Sequence, residues 1–181
     1  MIRALEERDG PAILAFVQDL PQDETTFFKD EQIASTRIAD WARHSGSRRL
    51  VATEDDGAAI LGYVAIIPRT GLSGHVGEIS LVVAKRARGR GVGRSLARAA
   101  MVSGFGEMGL TKLVVEIVAD QEGTARMFRN LGFSAEALLR DHLRDRDGRM
   151  RDLMMFCHLA EDGWSEMETL GIGDALRDGG E

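Results

Sequence analysis

The stretch from Val83 to Leu96, VAKRARGRGVGRSL, constrains this chain more than any other. An apolar-rich strand pattern, GEISLVV at 77–83, runs into three alternate glycines, Gly89, Gly91 and Gly93, and then into a helical pattern. Glycine lets backbone N–H groups turn toward one point with no Cβ in the way. A helix starting there adds its own free N–H groups and the positive end of its dipole. The combination predicts a cradle for phosphate oxygens. Lys85, Arg86, Arg88, Arg90 and Arg94 put five positive charges in ten residues, with no acid among them. A diphosphate carrying a further phosphate suits such a loop. An arginine-rich surface turn is the plainer alternative in a chain with twenty Arg against three Lys. It does not explain why strand, glycines and helix coincide.

Two common phosphate loops fail on residue type. A Walker A loop needs Lys then Ser or Thr after its last glycine, and Gly93 is followed by Arg94 and Ser95. A dinucleotide fingerprint needs G-x-G-x-x-G, but Leu96 and Arg94 occupy the sixth positions counted from Gly91 and Gly89.

Periodicity supplies the surroundings. Residues 2–5 read as a strand, and Ile13, Leu14, Val17 and Leu20 mark a helix entered near Pro11. A second helical pattern covers 26–44, with Gly46 as its stop. The period then drops to two, and 48–54 and 59–67 read as a hairpin closed by Asp55-Asp56-Gly57. After the loop, a helix is predicted over 93–108 and a nearly all-apolar central strand over 111–119. A further helix runs over 122–131 to Gly132, a C′ residue, and two strands close the pattern around Asp147-Gly148. The expected fold is α/β: a mixed, mostly antiparallel twisted sheet of about seven strands flanked by helices.

At Arg88, Gly91 and Gly93 the chain carries R-x-x-G-x-G, and here it resembles the GNAT superfamily of acetyl-CoA-dependent N-acetyltransferases. The strand ending Leu81-Val82-Val83 lies where the family has the strand before its loop. Phe128-Arg129-Asn130-Leu131-Gly132-Phe133 is similar to the family's aromatic-x-x-x-Gly-Phe signature, and the order of elements agrees from residue 2 to about 160. The resemblance implies an acyl-CoA N-acyltransferase that joins acetyl-CoA to a primary amine. It implies that Leu81, Val82 and Val83 hold the pantetheine arm and that the Val83 N–H polarises the acetyl carbonyl. The pyrophosphate would then rest on the N–H groups of Arg88, Gly89, Arg90, Gly91, Val92, Gly93 and Arg94. From the later strand–helix unit, Gln121, Thr124 and Phe128 would border the cofactor.

The amine must lose a proton before it can attack. Glu78 is the expected general base, on a strand face with Ser80 and Val82, five residues before Val83. A glutamate here is similar to the base of GNAT-type protein-lysine acetyltransferases. Glu116, an acid inside the apolar 111–119 strand, is the second candidate. Many family members have tyrosine where this chain has Phe128, and phenylalanine has no proton to give the departing thiolate. Gln121 stands where the family often has asparagine. These departures leave open an acyl-CoA-binding sensor without transfer activity.

The remaining features carry less. His75 and His142 are expected to be surface or structural residues, and no His, Cys and carboxylate set has metal-ligand spacing. Single Cys157 excludes an intrachain disulfide and favours a small core residue in a cytoplasmic protein. No apolar run approaches the roughly 18 residues of a membrane span. The arginines of 140–152 alternate with Asp141, Asp145, Asp147 and Asp152, which predicts a solvated hairpin rather than a nucleic-acid surface. In the family this hairpin borders the acceptor, so Arg144, Arg146 and His142 become selectivity candidates.

The net charge of −6 matches the net charge of residues 161–181, with seven acids and one arginine. The first 160 residues hold 22 charges of each sign. The chain therefore divides into a domain over 1–160 and an acidic extension over 161–181. Trp164, Met167 and Leu170 would let that extension dock as a helix, across a homodimer in one reading.

Overall fold

The structure is a computed structural model describing residues 1–20, 46–54, 59–145 and 147–160. The expected helix over 26–44, the Asp55-Asp56-Gly57 turn, Arg146 and the 161–181 extension lie outside the described residues.

Strand β1 (Ile2–Ala4) leads to helix α1 (Gly10–Gln18), which enters on Pro11 and buries Ile13 and Phe16. Antiparallel β2 (Arg48–Thr53), β3 (Ile60–Pro68) and β4 (Val76–Val83) follow. The glycine loop then delivers the chain to α2 (Val92–Met101), which returns to β5 (Lys112–Val118). Helix α3 (Glu122–Arg129) precedes the closing hairpin of β6 (Ser134–Arg144) and β7 (Met150–Leu159). The seven strands form one sheet in the order β1-β2-β3-β4-β5-β7-β6. Every neighbouring pair is antiparallel except β4 and β5, which α2 joins in parallel. This is the predicted mixed sheet.

The core lies where the helices meet the sheet. Tyr63, Ile66, Leu96, Met101, Leu113, Phe128 and Phe156 are fully buried. Gly62 and Gly77 allow close packing: a Cβ at 62 would stand 2.7 Å from Leu96 Cδ1, and one at 77 would stand 2.6 Å from Leu110 Cδ1. Beyond α2 the backbone widens into π-type turns over Val102–Glu107, with the Met108 N–H donating to the Ser103 carbonyl at 2.9 Å. Gly104 within that segment presses on Leu113, the nearest approach to an added Cβ being 2.9 Å. The expected 93–108 helix therefore exists in two geometries.

Gly132 has the φ of +86° expected of a C′ residue. Its N–H donates to Arg129 O and that of Phe133 to Phe128 O, the two bonds of a Schellman closure. The closure turns Phe133 back onto Phe128, ring centroids 5.1 Å apart and nearly perpendicular.

Candidate active site

Parallel pairing between β4 and β5 runs from Val76↔Lys112 to Ile79↔Val115 and stops there. Beyond Ile79 and Val115 the strands part, leaving Ser80–Val83 and Glu116–Val118 on opposite sides of a fork. A cleft of about 610 Å³ fills the fork. Its walls include Leu81, Val82 and Val83 on one side, and Glu116, Ile117 and Val118 on the other. Helix α3 closes one flank with Thr124, Met127 and Phe128, and Arg88 and Gly93 form the loop end.

Strand alternation orients the backbone of Val83. The next N–H, that of Ala84, donates to Leu61 O on β3 at 2.9 Å. Successive strand amides point to opposite edges, so the Val83 N–H is directed into the fork. Arg88 Nε donates to Val83 O at 3.2 Å, so the loop folds back over the strand's last carbonyl.

The glycines divide the work of the loop. Gly89 and Gly91 have φ of +72° and +82°, which side chains disfavour. Gly91 is the residue from which α2 starts, and its carbonyl accepts the Ser95 N–H at 3.0 Å. Gly93 instead stands close to the cleft wall, where a Cβ would lie 3.4 Å from both Met127 Sδ and Val83 Cγ2. Lys85, Arg86, Arg88, Arg90 and Arg94 are all exposed around this turn. Free helix amides, two left-handed glycines and this charge fit a phosphate-bearing ligand whose narrow arm enters the fork.

The acetyltransferase (GNAT) family model matches residues 14–133, two thirds of the sequence. The chain belongs to the GNAT acetyltransferase family. GNAT enzymes use acetyl-CoA as acyl donor and an amine as acceptor. The fold of this GNAT enzyme is similar to that of ribosomal-protein-alanine N-acetyltransferase from Brucella melitensis. The two are 25% identical over 88% of this chain and 99% of that one, with a TM-score of 0.73. It is also similar to mutant forms of a spermidine/spermine N-acetyltransferase from Vibrio cholerae. There the identity is 19%, over 92% of this chain and 98% of that one, with a TM-score of 0.74. No curated protein matches the sequence.

In this GNAT site, the predicted residues fall into two groups. Leu81, Val82, Val83, Arg88, Gly93, Gln121, Thr124 and Phe128 line the cleft, while Gly89, Arg90, Gly91, Val92 and Arg94 form the loop at its end. Glu78 is not among the lining residues: it lies one residue before the last paired position, with its Oε1 accepting from Arg69 Nη2 at 3.0 Å. Pairing with Val114 puts Glu78 on the sheet face that also carries Ser80 and Glu116. Glu116 lines the cleft.

His75, His142 and Arg144 are exposed, and none of them lines the cleft. Cys157 packs with Val76 and Val114 on the second side of the sheet. Among the described residues no group of His, Cys, Asp and Glu could hold a metal ion, and no helix is long and apolar enough to cross a membrane.

Met127, Leu143 and Leu153 are among the lining residues that the sequence reading missed. Met127 was within reach, because it follows Thr124 by three positions on an amphipathic helix. Leu143 and Leu153 come from the hairpin, where pairing register decides which residues face the fork. An ion-pair brace also joins that hairpin to the cleft mouth. Arg151 Nη1 lies 3.3 Å from Asp145 Oδ2 while its Nη2 binds Asp120, a lining residue. The Arg149 N–H donating to Asp145 holds that carboxyl below the ordinary carboxylate range, with Arg151 adding to the effect.

Proposed function

We infer that this protein transfers the acetyl group of acetyl-CoA to a primary amine by direct attack within the β4–β5 fork. The observation that carries the reading is the fork itself, opening after Ile79↔Val115 directly beneath a glycine loop and a helix N-terminus. The loop amides take the pyrophosphate, and the pantetheine arm lies against Leu81, Val82 and Val83. The Val83 N–H donates to the thioester carbonyl oxygen as negative charge develops there. The amine nitrogen bonds to the carbonyl carbon, the C–S bond breaks, and the thiolate leaves. A thiolate with a conjugate acid of pKa about 8.5 departs without an acid and takes its proton from water. Phe128 is compatible with that.

Glu78 takes, through a water, the proton that the acceptor's ammonium loses before its nitrogen attacks, and the nitrogen's second proton passes to solvent as the amide forms. It lies just below the fork on the face of Ser80, and Arg69 orients its carboxylate. The cleft lining favours a second reading, in which Glu116 takes the proton directly. Thiol release from acetyl-CoA across a panel of primary amines tests the activity. Amine-dependent release is expected. Saturable acetyl-CoA binding with no transfer to any amine contradicts it.

On the same proposal, residues 1–160 suffice for activity and the 161–181 segment is an appendix. A chain ending at residue 160 is expected to retain turnover.

A further inference from the structure

The β6–β7 hairpin contains an irregularity beside the cleft. Pairing passes from Leu139↔Leu153 directly to Leu143↔Arg151. Residues 140, 141 and 142 therefore stand opposite Asp152 alone. In unbroken pairing the residue opposite Arg151 would be Asp141, two after Leu139. The bulge takes Asp141 out of that seat and puts Leu143 there.

Asp141 is the one non-glycine among the described residues with positive φ, at +49°. That conformation is costly for a residue with a Cβ, although aspartate tolerates it better than most. Its N–H donates to Asp152 Oδ1 at 2.8 Å, a charge-assisted bond across the bulge. Asp152 is next in sequence to Leu153, which is buried and lines the cleft with Leu143. By register, Leu143 and Leu153 share the face of Glu116, because Leu153 pairs with Val118. The Glu116 face of the fork thus gains an apolar wall where plain pairing would set a carboxylate. Bulges beside active sites commonly re-aim a side chain in this way.

We propose that Leu143, seated by the Asp141–Asp152 bond, is a specificity-determining residue that selects amines bearing an aliphatic group next to the amine carbon. Asp152 is its positioning residue. The inference rests on the acetyltransferase reading above and adds the acceptor class to it.

Leucinamide and glycinamide are suitable paired probes, differing in one aliphatic side chain. Wild-type protein is expected to prefer leucinamide in kcat/KM by at least about tenfold, the discrimination a hydrophobic pocket gives. Leu143→Asp should abolish the preference, and Asp152→Ala should reduce it several-fold through the leucinamide KM, with acetyl-CoA affinity unchanged by calorimetry. Adding Asp141→Gly to Asp152→Ala should restore the preference, because glycine adopts the bulge conformation without help. A merely structural aspartate would not be rescued that way. Equal use of the two amides by wild type overturns the proposal, as does a double variant no better than Asp152→Ala. Wild-type protein that binds acetyl-CoA yet acetylates no amine defeats the acetyltransferase reading and this inference with it.

Discussion

Ile79 and Val115 face each other as the last paired residues of two parallel strands, and the cleft begins where their pairing ends. Lost pairing leaves strand backbone available to a ligand, and one such group, the Val83 N–H, points into the gap. Chemistry at this site is therefore expected to depend on the backbone of β4 and on the carboxylates flanking the fork.

Glu78→Gln keeps the shape of the side chain and removes its capacity as a base. A lowering of kcat by about 10²–10⁴-fold is expected, the usual contribution of general acid–base catalysis, with acetyl-CoA affinity nearly intact. Steady-state kinetics beside calorimetric titration separate the two quantities. If Glu78→Gln is silent while Glu116→Gln loses turnover, the proton goes directly to Glu116.

Gly91→Ala tests the loop. At φ +82° an added Cβ costs about 1–2 kcal/mol, which the chain would relieve by moving the start of α2. Acetyl-CoA affinity should fall about tenfold, since 1.4 kcal/mol is one decade in binding. An unchanged Kd would mean that the loop does not carry the pyrophosphate.

Asp9 supplies a pH-dependent prediction outside the site. Arg3 grips it through two short bonds, Nη1–Oδ2 at 2.6 Å and Nη2–Oδ1 at 2.7 Å. The Arg3 hydrogen bonds, aided by the Glu6 N–H, hold the Asp9 carboxyl below its ordinary value of 3.8. A carboxyl depressed in the folded state stabilises the fold above its unfolded value, and that stability disappears as pH falls through the folded one. Asp9→Asn should cost about 2 kcal/mol at neutral pH, the scale of hydrogen bonds to charged groups. Urea denaturation should show the gap to wild type closing below pH 3.8. A gap that stays constant on acidification would contradict the assignment.

Much of this was readable from local pattern. Alternation marked β2 to β4, and the three spaced glycines marked the strand-to-helix turn, because period and φ tolerance are properties of neighbouring residues. What could not be read depends on pairing between distant segments. The fork is set by where β4 and β5 stop pairing, not by any motif within either strand. Leu143 enters the site only through a bulge that opposes three residues to Asp152, and the charged run around it reads as solvated surface. The partner of Glu78 is likewise set by strand pairing: Arg69, nine residues earlier, binds it across the β3–β4 hairpin. The widening of the backbone at Val102–Glu107 likewise brings Gly104 against Leu113, a contact between segments.

The most direct test of the account is a crystal structure of the protein with coenzyme A. Pyrophosphate on the amides of residues 88–94 and a pantetheine arm between β4 and β5, beside Val83, is the predicted result. Coenzyme A bound elsewhere, with the fork left to solvent, would contradict it.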